Sequence, residues 1–186
     1  MSRREEIADV AITVLAAEGM RGLTHRTVDR AAGLPEGSTS YYFRTRQALL
    51  QATVHRLAEG TAADLAALRE ASGSDLEGLV EAVATVVGQW LTTGRDRQLA
   101  RYELSLEAVR RPELHRVLMA SGDHLREMIT ELLASAGVPD AHRHAVDLIA
   151  FLDGVVFDRL VGMGARADAP DLRATIRMLL AAATRS

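Results

Sequence analysis

The chain contains no cysteine, which removes disulfide frameworks, thiolate zinc sites and thiol nucleophiles from consideration. Lysine is absent as well: all 22 basic residues are arginine, a bias that a GC-rich coding sequence produces without any demand from function. Long hydrophobic runs are missing. Nothing approaches the roughly 18 uninterrupted apolar residues of a membrane span, and the opening Met1-Ser2-Arg3-Arg4-Glu5-Glu6 lacks the apolar segment of a signal peptide. A soluble, cytoplasmic protein is expected. The period-two alternation of half-buried strands is missing too, so the chain is expected to be all-α.

What is present is ordinary globular composition: 186 residues, 48% hydrophobic and 25% charged, enough for one generous domain or two small ones. The net charge of -3 conceals a local asymmetry. Between residues 20 and 46, Arg21, Arg26, Arg30, Arg44 and Arg46 face only Asp29 and Glu36, whereas acids outnumber arginines beyond residue 46.

Punctuation predicts about nine helices. Ser2 and Glu5 form a capping box ahead of Ile7, Val10, Ala11, Val14 and Leu15, and Gly19 supplies a left-handed stop. Thr24 caps a second helix that ends at Gly33. A third is expected from Pro35 to Phe43, and Thr45 caps a fourth reaching about Ala71. Ser74 and Glu77 form another capping box, with Gly94 as terminator of helix five. Helix six is expected to turn Leu99, Tyr102, Leu106 and Val109 inward. Pro112 opens helix seven, Pro139-Asp140 opens helix eight, and Asp168 to Asp171 opens helix nine. Val146 to Val161 is apolar on nearly every side, so helix eight needs neighbours all round it.

The stretch Thr24 to Arg46 carries the most chemistry. Two short helices joined by a tight Gly-containing turn form a helix-turn-helix, whose second helix can enter a major groove about 12 Å wide. Ser38, Thr39 and Ser40 are small and hydroxylated, Tyr41 and Tyr42 follow, and Gly37 removes a Cβ that might collide with the duplex. Thr39 and Tyr41 are expected to face the bases, Tyr42 and Phe43 to pack inward, and His25 to donate to a phosphate. Arg46, with the N–H groups opening helix four, is expected to hold another.

Gly33-Leu34-Pro35-Glu36-Gly37-Ser38-Thr39-Ser40-Tyr41-Tyr42-Phe43, followed by Thr45-Arg46-Gln47-Ala48-Leu49-Leu50, resembles the DNA-binding motif of the TetR family of transcriptional regulators. The resemblance covers about residues 3 to 55 strongly and is architectural beyond. It implies an N-terminal three-helix DNA-binding domain, residues 1–46, and a C-terminal helical bundle for effector binding and dimerisation, residues 47–186. The DNA-binding set it implies is His25, Arg26, Thr27, Glu36, Gly37, Ser38, Thr39, Ser40, Tyr41, Tyr42, Arg44, Thr45 and Arg46. Two positions depart from the pattern. Asp29 stands where a small Ala is usual, and is expected to pair with Arg26 or Arg30 or to repel the DNA backbone; Ser40 stands where a Tyr is usual.

A regulator of this kind would hold a small, hydrophobic effector in the apolar interior, with Trp90, Tyr102, Glu103, Leu106, Met119, Met128 and Phe151 as lining. Helices eight and nine are expected to form a homodimer, with Gly154 and Gly162 allowing close approach. A two-fold dimer sets its reading helices about 34 Å apart and calls for a near-palindromic operator in double-stranded DNA. No cofactor, metal or catalytic constellation is expected. His142 and His144 point about 200° apart on a helix, unlike a ligating pair. The competing expectation is a helical-bundle ligand carrier or enzyme that does not bind DNA.

Overall fold

The computed structural model describes residues 1–73, 76–165 and 171–183. Ser74, the cap of the second expected capping box, and Asp168, at the expected start of helix nine, lie outside the described residues. Among them the chain is helical throughout, without strands: α1 (Arg3–Gly22), α2 (His25–Ala31), α3 (Ser38–Tyr42), α4 (Arg46–Ala71), α5 (Leu76–Leu91), α6 (Arg95–Ala108), α7 (Pro112–Ser135), α8 (Ala141–Val161), a short 3-10 turn, and α9 (Leu172–Ala183). It forms two compact units, one of residues 1–61 and 96–120, the other of 62–95 and 121–186.

In the first unit the caps act as the sequence predicts. Ser2 Oγ accepts from Glu5 N–H and the Glu5 carboxylate accepts from Ser2 N–H, so two otherwise orphaned donors at the start of α1 are satisfied. Thr24 Oγ1 accepts from Thr27 N–H and Thr45 Oγ1 from Ala48 N–H, capping α2 and α4 one-sidedly. Gly19, at φ +65°, breaks α1 as expected, and a further helical turn carries on to Gly22. The core gathers Ile7, Ala11, Leu15, Leu23, Val28, Phe43, Leu49 and Val54 with Ala100, Leu104 and Ala108 of α6. A two-pronged ion pair adds a polar tie between α1 and α4, with Arg56 Nε 2.7 Å from Asp9 Oδ1 and Nη2 3.0 Å from Oδ2.

Helix α6 presents a different face from the one expected. Leu106 is 62% exposed and Val109 81%, while Ala100, Leu104 and Ala108 are buried. Four-residue spacing puts these three on one stripe, and the alanines let the helix backbone approach the core more closely than a Leu stripe would.

In the second unit α5 buries Leu79, Val80, Val83 and Val87, and α9 buries Ile176 and Leu180. The solvent side of this pairing is zipped by Arg173 to Glu81 at 2.8 Å and by Arg177 to Glu77. These pairs are exposed, so they set register more than stability. Leu148, Val156 and Leu160 are the inward residues of α8.

Candidate nucleic-acid interface

The turn between α2 and α3 needs two left-handed residues, and glycine occupies both: Gly33 at φ +65° and Gly37 at φ +94°. Gly37 stands at the N-cap of α3 and has no side chain with which to cap it. The cap comes from α2. Asp29 Oδ2 accepts from Gly37 N–H at 2.8 Å and Oδ1 accepts from Thr39 N–H at 2.7 Å. The carboxylate is 2% exposed. Burial pushes its pKa up, but the hydrogen bonds from Thr39 and Gly37, with His25 nearby, outweigh that and hold it below the ordinary value. The expected pairing with Arg26 or Arg30 does not occur: Arg30 lies 3.5 Å from Glu18 instead. This cap also explains why α3 starts at Ser38 and not at Pro35, since Pro35 to Gly37 are spent in the turn that brings the N–H groups onto Asp29.

Helix α3 is five residues long, about 7.5 Å at 1.5 Å per residue, and three contacts pin its far end. Arg4 Nη1 donates to Tyr42 O at 2.7 Å, and the same guanidinium lies 4.5 Å from the Phe43 ring centroid. His25 Nε2 donates to Phe43 O at 2.6 Å, which takes that nitrogen away from the phosphate expected for it. Phe43 is buried, as expected, and Tyr42 is half-buried with its ring edge-on to Tyr41, centroids 5.1 Å apart.

The expected contact residues therefore divide. Arg26, Glu36, Gly37, Ser40, Tyr41, Arg44 and Thr45 are exposed, and Tyr41 is 77% exposed. Thr27 and Ser38 are half-buried, Ser38 Oγ donating to Pro35 O at 2.7 Å and Thr27 Oγ1 lying 2.8 Å from Thr24 Oγ1. Thr39, expected outward, is fully buried, because the two bonds to Asp29 turn this part of α3 toward α2. Arg46, expected at a phosphate, donates through Nε to Leu23 O at 3.0 Å and through Nη2 to Met20 O, closing carbonyls at the end of α1. Sequence reasoning missed the organising roles of Asp29 and Arg4. The signal for Asp29 was its departure from the family pattern, an acid where a small Ala is usual and next to the buried Val28.

The expected effector lining falls in both units: Tyr102, Glu103, Leu106 and Met119 in the first, Trp90, Met128 and Phe151 in the second. Leu106 and Met119 are exposed, Met119 at 50%: α6 turns Ala100, Leu104 and Ala108 inward, and α7 turns Leu114 and Leu118. Trp90 Nε1 donates to Asp64 Oδ2 at 2.7 Å. Tyr102 is half-buried under the Arg101 guanidinium, 4.4 Å from its ring centroid, and Glu103 lies where a Cβ on Gly19 would be 3.3 Å away. Met128 is half-buried. Phe151 is partly exposed at the rim of an open apolar cavity of about 230 Å³ that it shares with Leu133, His144, Leu148 and Leu180. A second cavity of about 260 Å³, lined by Arg46, Gln51, Val54, Arg111 and Val117, was not anticipated. Among the described residues no three His, Asp or Glu side chains converge to hold a metal, and no helix is long and apolar enough to cross a membrane.

A short exposed helix, held on a buried core by a two-glycine turn and followed by a capped long helix, defines a helix-turn-helix DNA-binding protein. Residues 7–53 match the family described as bacterial regulatory proteins, tetR family, and residues 74–185 match the tetracyclin repressor-like, C-terminal domain. The chain belongs to the TetR family and is a DNA-binding transcriptional regulator. It is 27% identical over 154 residues to the HTH-type transcriptional regulator BetI of Rhizobium meliloti (strain 1021), covering 82% of this chain and 75% of that one. Among solved structures it resembles a TetR-family member from Streptomyces coelicolor A3, with 34% identity, 99% of each chain covered and a TM-score of 0.74. It also resembles the multidrug binding protein EbrR complexed with ethidium, with 35% identity, 97% of each chain covered and a TM-score of 0.68.

Proposed function

We propose that the protein is a homodimeric repressor that reads a near-palindromic operator through α3 and releases it when a small, hydrophobic effector binds. Residues 1–46 would read DNA, and 47–186 would bind the effector and dimerise. The observation that carries the reading is the exposed face of α3, where Ser40 and Tyr41, followed by Arg44 and Thr45, project from a backbone fixed at both ends. In this reading Tyr41 and Ser40 contact base edges, while Arg26, Arg44 and Thr45 contact phosphates.

Dimerisation through α8 and α9 is supported by a stripe on α8. Val146, Ala150, Gly154, Phe157 and Val161 recur at helical spacing, and all are exposed in the single chain. The effector reading is supported by the apolar composition of the second unit and by Trp90. EbrR has been solved with ethidium, proflavin and malachite green, which makes cationic aromatic compounds the first ones to try. The Asp64 carboxylate beside the Trp90 indole suits that class, since a ring face and an acid together favour a cation.

Enrichment from a random duplex pool tests the DNA reading directly. An inverted repeat should emerge, with half-site centres about one DNA turn apart or a little more. Recovery of no preferred sequence would leave the bundle as a ligand carrier or enzyme. Release from the selected duplex by a cationic dye tests the effector reading, and equal affinity with and without every dye would count against it.

A further inference from the structure

From the paired bonds between α2 and α3 we infer that Asp29 is a positioning residue for DNA reading: its buried carboxylate, and not a side chain of α3 itself, sets the angle at which the reading helix meets the duplex. The inference rests on the DNA reading proposed above. Three observations converge on it. The N-cap of α3 is a glycine, so the first turn has no side-chain acceptor at its own cap position. Both Asp29 oxygens are spent on that turn, at 2.8 and 2.7 Å, and neither reaches solvent to any extent. The residue between the two donors, Ser38, is tied to Pro35 through both its N–H and its hydroxyl, so the hydrogen bonds that join the first turn of α3 to α2 run through the Asp29 carboxylate; the one earlier in the turn, from Leu34 N–H at 2.9 Å, ends on the Asp29 carbonyl.

The consequence is geometric. A five-residue helix has few hydrogen bonds of its own, so its direction is determined by what grips its ends. Arg4 and His25 grip the C-terminal end through the carbonyls of Tyr42 and Phe43. Asp29 grips the N-terminal end. Losing it leaves the buried Thr39 N–H without an acceptor and the Gly37 N–H to solvent, and frees the helix to pivot about the C-terminal anchor. A negative charge at this end also complements the helix dipole, while its burial keeps it off the face that approaches phosphates.

The test uses the full chain, its Asp29→Asn and Asp29→Ala variants, and two duplexes: the one enriched by the wild-type protein and one of scrambled sequence. Asn keeps one acceptor and Ala keeps none. Affinity for the enriched duplex should fall several-fold in Asp29→Asn and about tenfold or more in Asp29→Ala, while affinity for the scrambled duplex stays within about twofold. The salt dependence should keep its slope, because Asp29 touches no phosphate. Amide exchange at Gly37 and Thr39 should accelerate in the same order, with Leu15 and Leu49 unchanged. Unaltered exchange at Gly37 and Thr39 would overturn the inference whatever the DNA result, and so would faster exchange spread evenly through Leu15 and Leu49. Discrimination between the duplexes that is kept in Asp29→Ala would overturn it too. A wild-type chain that enriches no sequence would instead sink the DNA reading beneath it.

Discussion

Arg46 closes the end of α1: its Nε donates to Leu23 O at 3.0 Å and its Nη2 to Met20 O, where the sequence motif placed it on a phosphate. Arg44, two residues earlier, is exposed and makes no side-chain hydrogen bond or ion pair among the described residues, so we assign the phosphate role to it. Arg44→Ala should weaken binding to every duplex and lower the salt slope by about one. Arg46→Ala should lower the melting temperature, through two carbonyls left without a donor, and change the slope by clearly less than one. Equal loss of slope in both variants would return Arg46 to the phosphate list.

Tyr41 is the large exposed apolar side chain of α3, and its ring stands nearly perpendicular to that of Tyr42. Little stability depends on it, so Tyr41→Ala should leave the melting temperature within about 1 °C, as for other surface substitutions worth under about 0.5 kcal/mol. Discrimination between the enriched and scrambled duplexes should fall about tenfold, in line with the loss of one specific base contact. A variant that discriminates as well as wild type would remove Tyr41 from the base contacts.

The helices were legible because their ends are written locally. Ser2, Thr24 and Thr45 each satisfy a donor within three residues, so the chain order alone locates the starts of α1, α2 and α4. The start of α3 was not legible for the opposite reason. Its acceptor lies eight residues before Gly37, on another helix. The same non-local accounting moved Arg46 and His25 off the DNA face, since their acceptors are carbonyls of Leu23, Met20 and Phe43. Periodicity found the buried stripe of α1, yet on α6 it favoured the larger side chains over Ala100 and Ala108. Close packing there is carried by small residues, which hydrophobicity ranks low. The departures from the family motif were visible as letters, but only the fold shows that Asp29 and Thr39 are partners.

The depressed pKa of Asp29 has a direction that can be checked. A carboxyl lowered in the folded state contributes stability above its unfolded value, and that contribution is lost as pH falls through the folded value. Wild type and Asp29→Asn should therefore differ most in melting temperature near neutral pH and converge below about pH 4, near and beneath the ordinary carboxyl range. Glu5 and Glu107 are lowered as well, by bonds from Ser2 and from Arg110 and Arg111, but they titrate alike in both proteins and cancel in the difference. Parallel curves across the whole range would mean that Asp29 is no better stabilised as an anion in the fold than in the unfolded chain.

Gly154 offers a test of the proposed dimer that spares the subunit. A Cβ built there meets nothing within 4 Å, and it sits at the middle of the exposed stripe formed by Val146, Ala150, Phe157 and Val161. In a lone chain Gly154→Arg should therefore be harmless, and replacing a mid-helix glycine adds up to about 1 kcal/mol of helix propensity. In a close-packed α8 pair across a two-fold axis the same arginine meets its own copy, a like-charge contact on a surface with no room for it. The variant should keep its helical circular dichroism, run at half the wild-type mass in light scattering at micromolar concentration, and lose most of its affinity for the enriched inverted repeat. Binding to a single half-site should persist at low salt, since the reading helix is untouched. An arginine variant that still runs as a dimer would place the partner's contact on some other face.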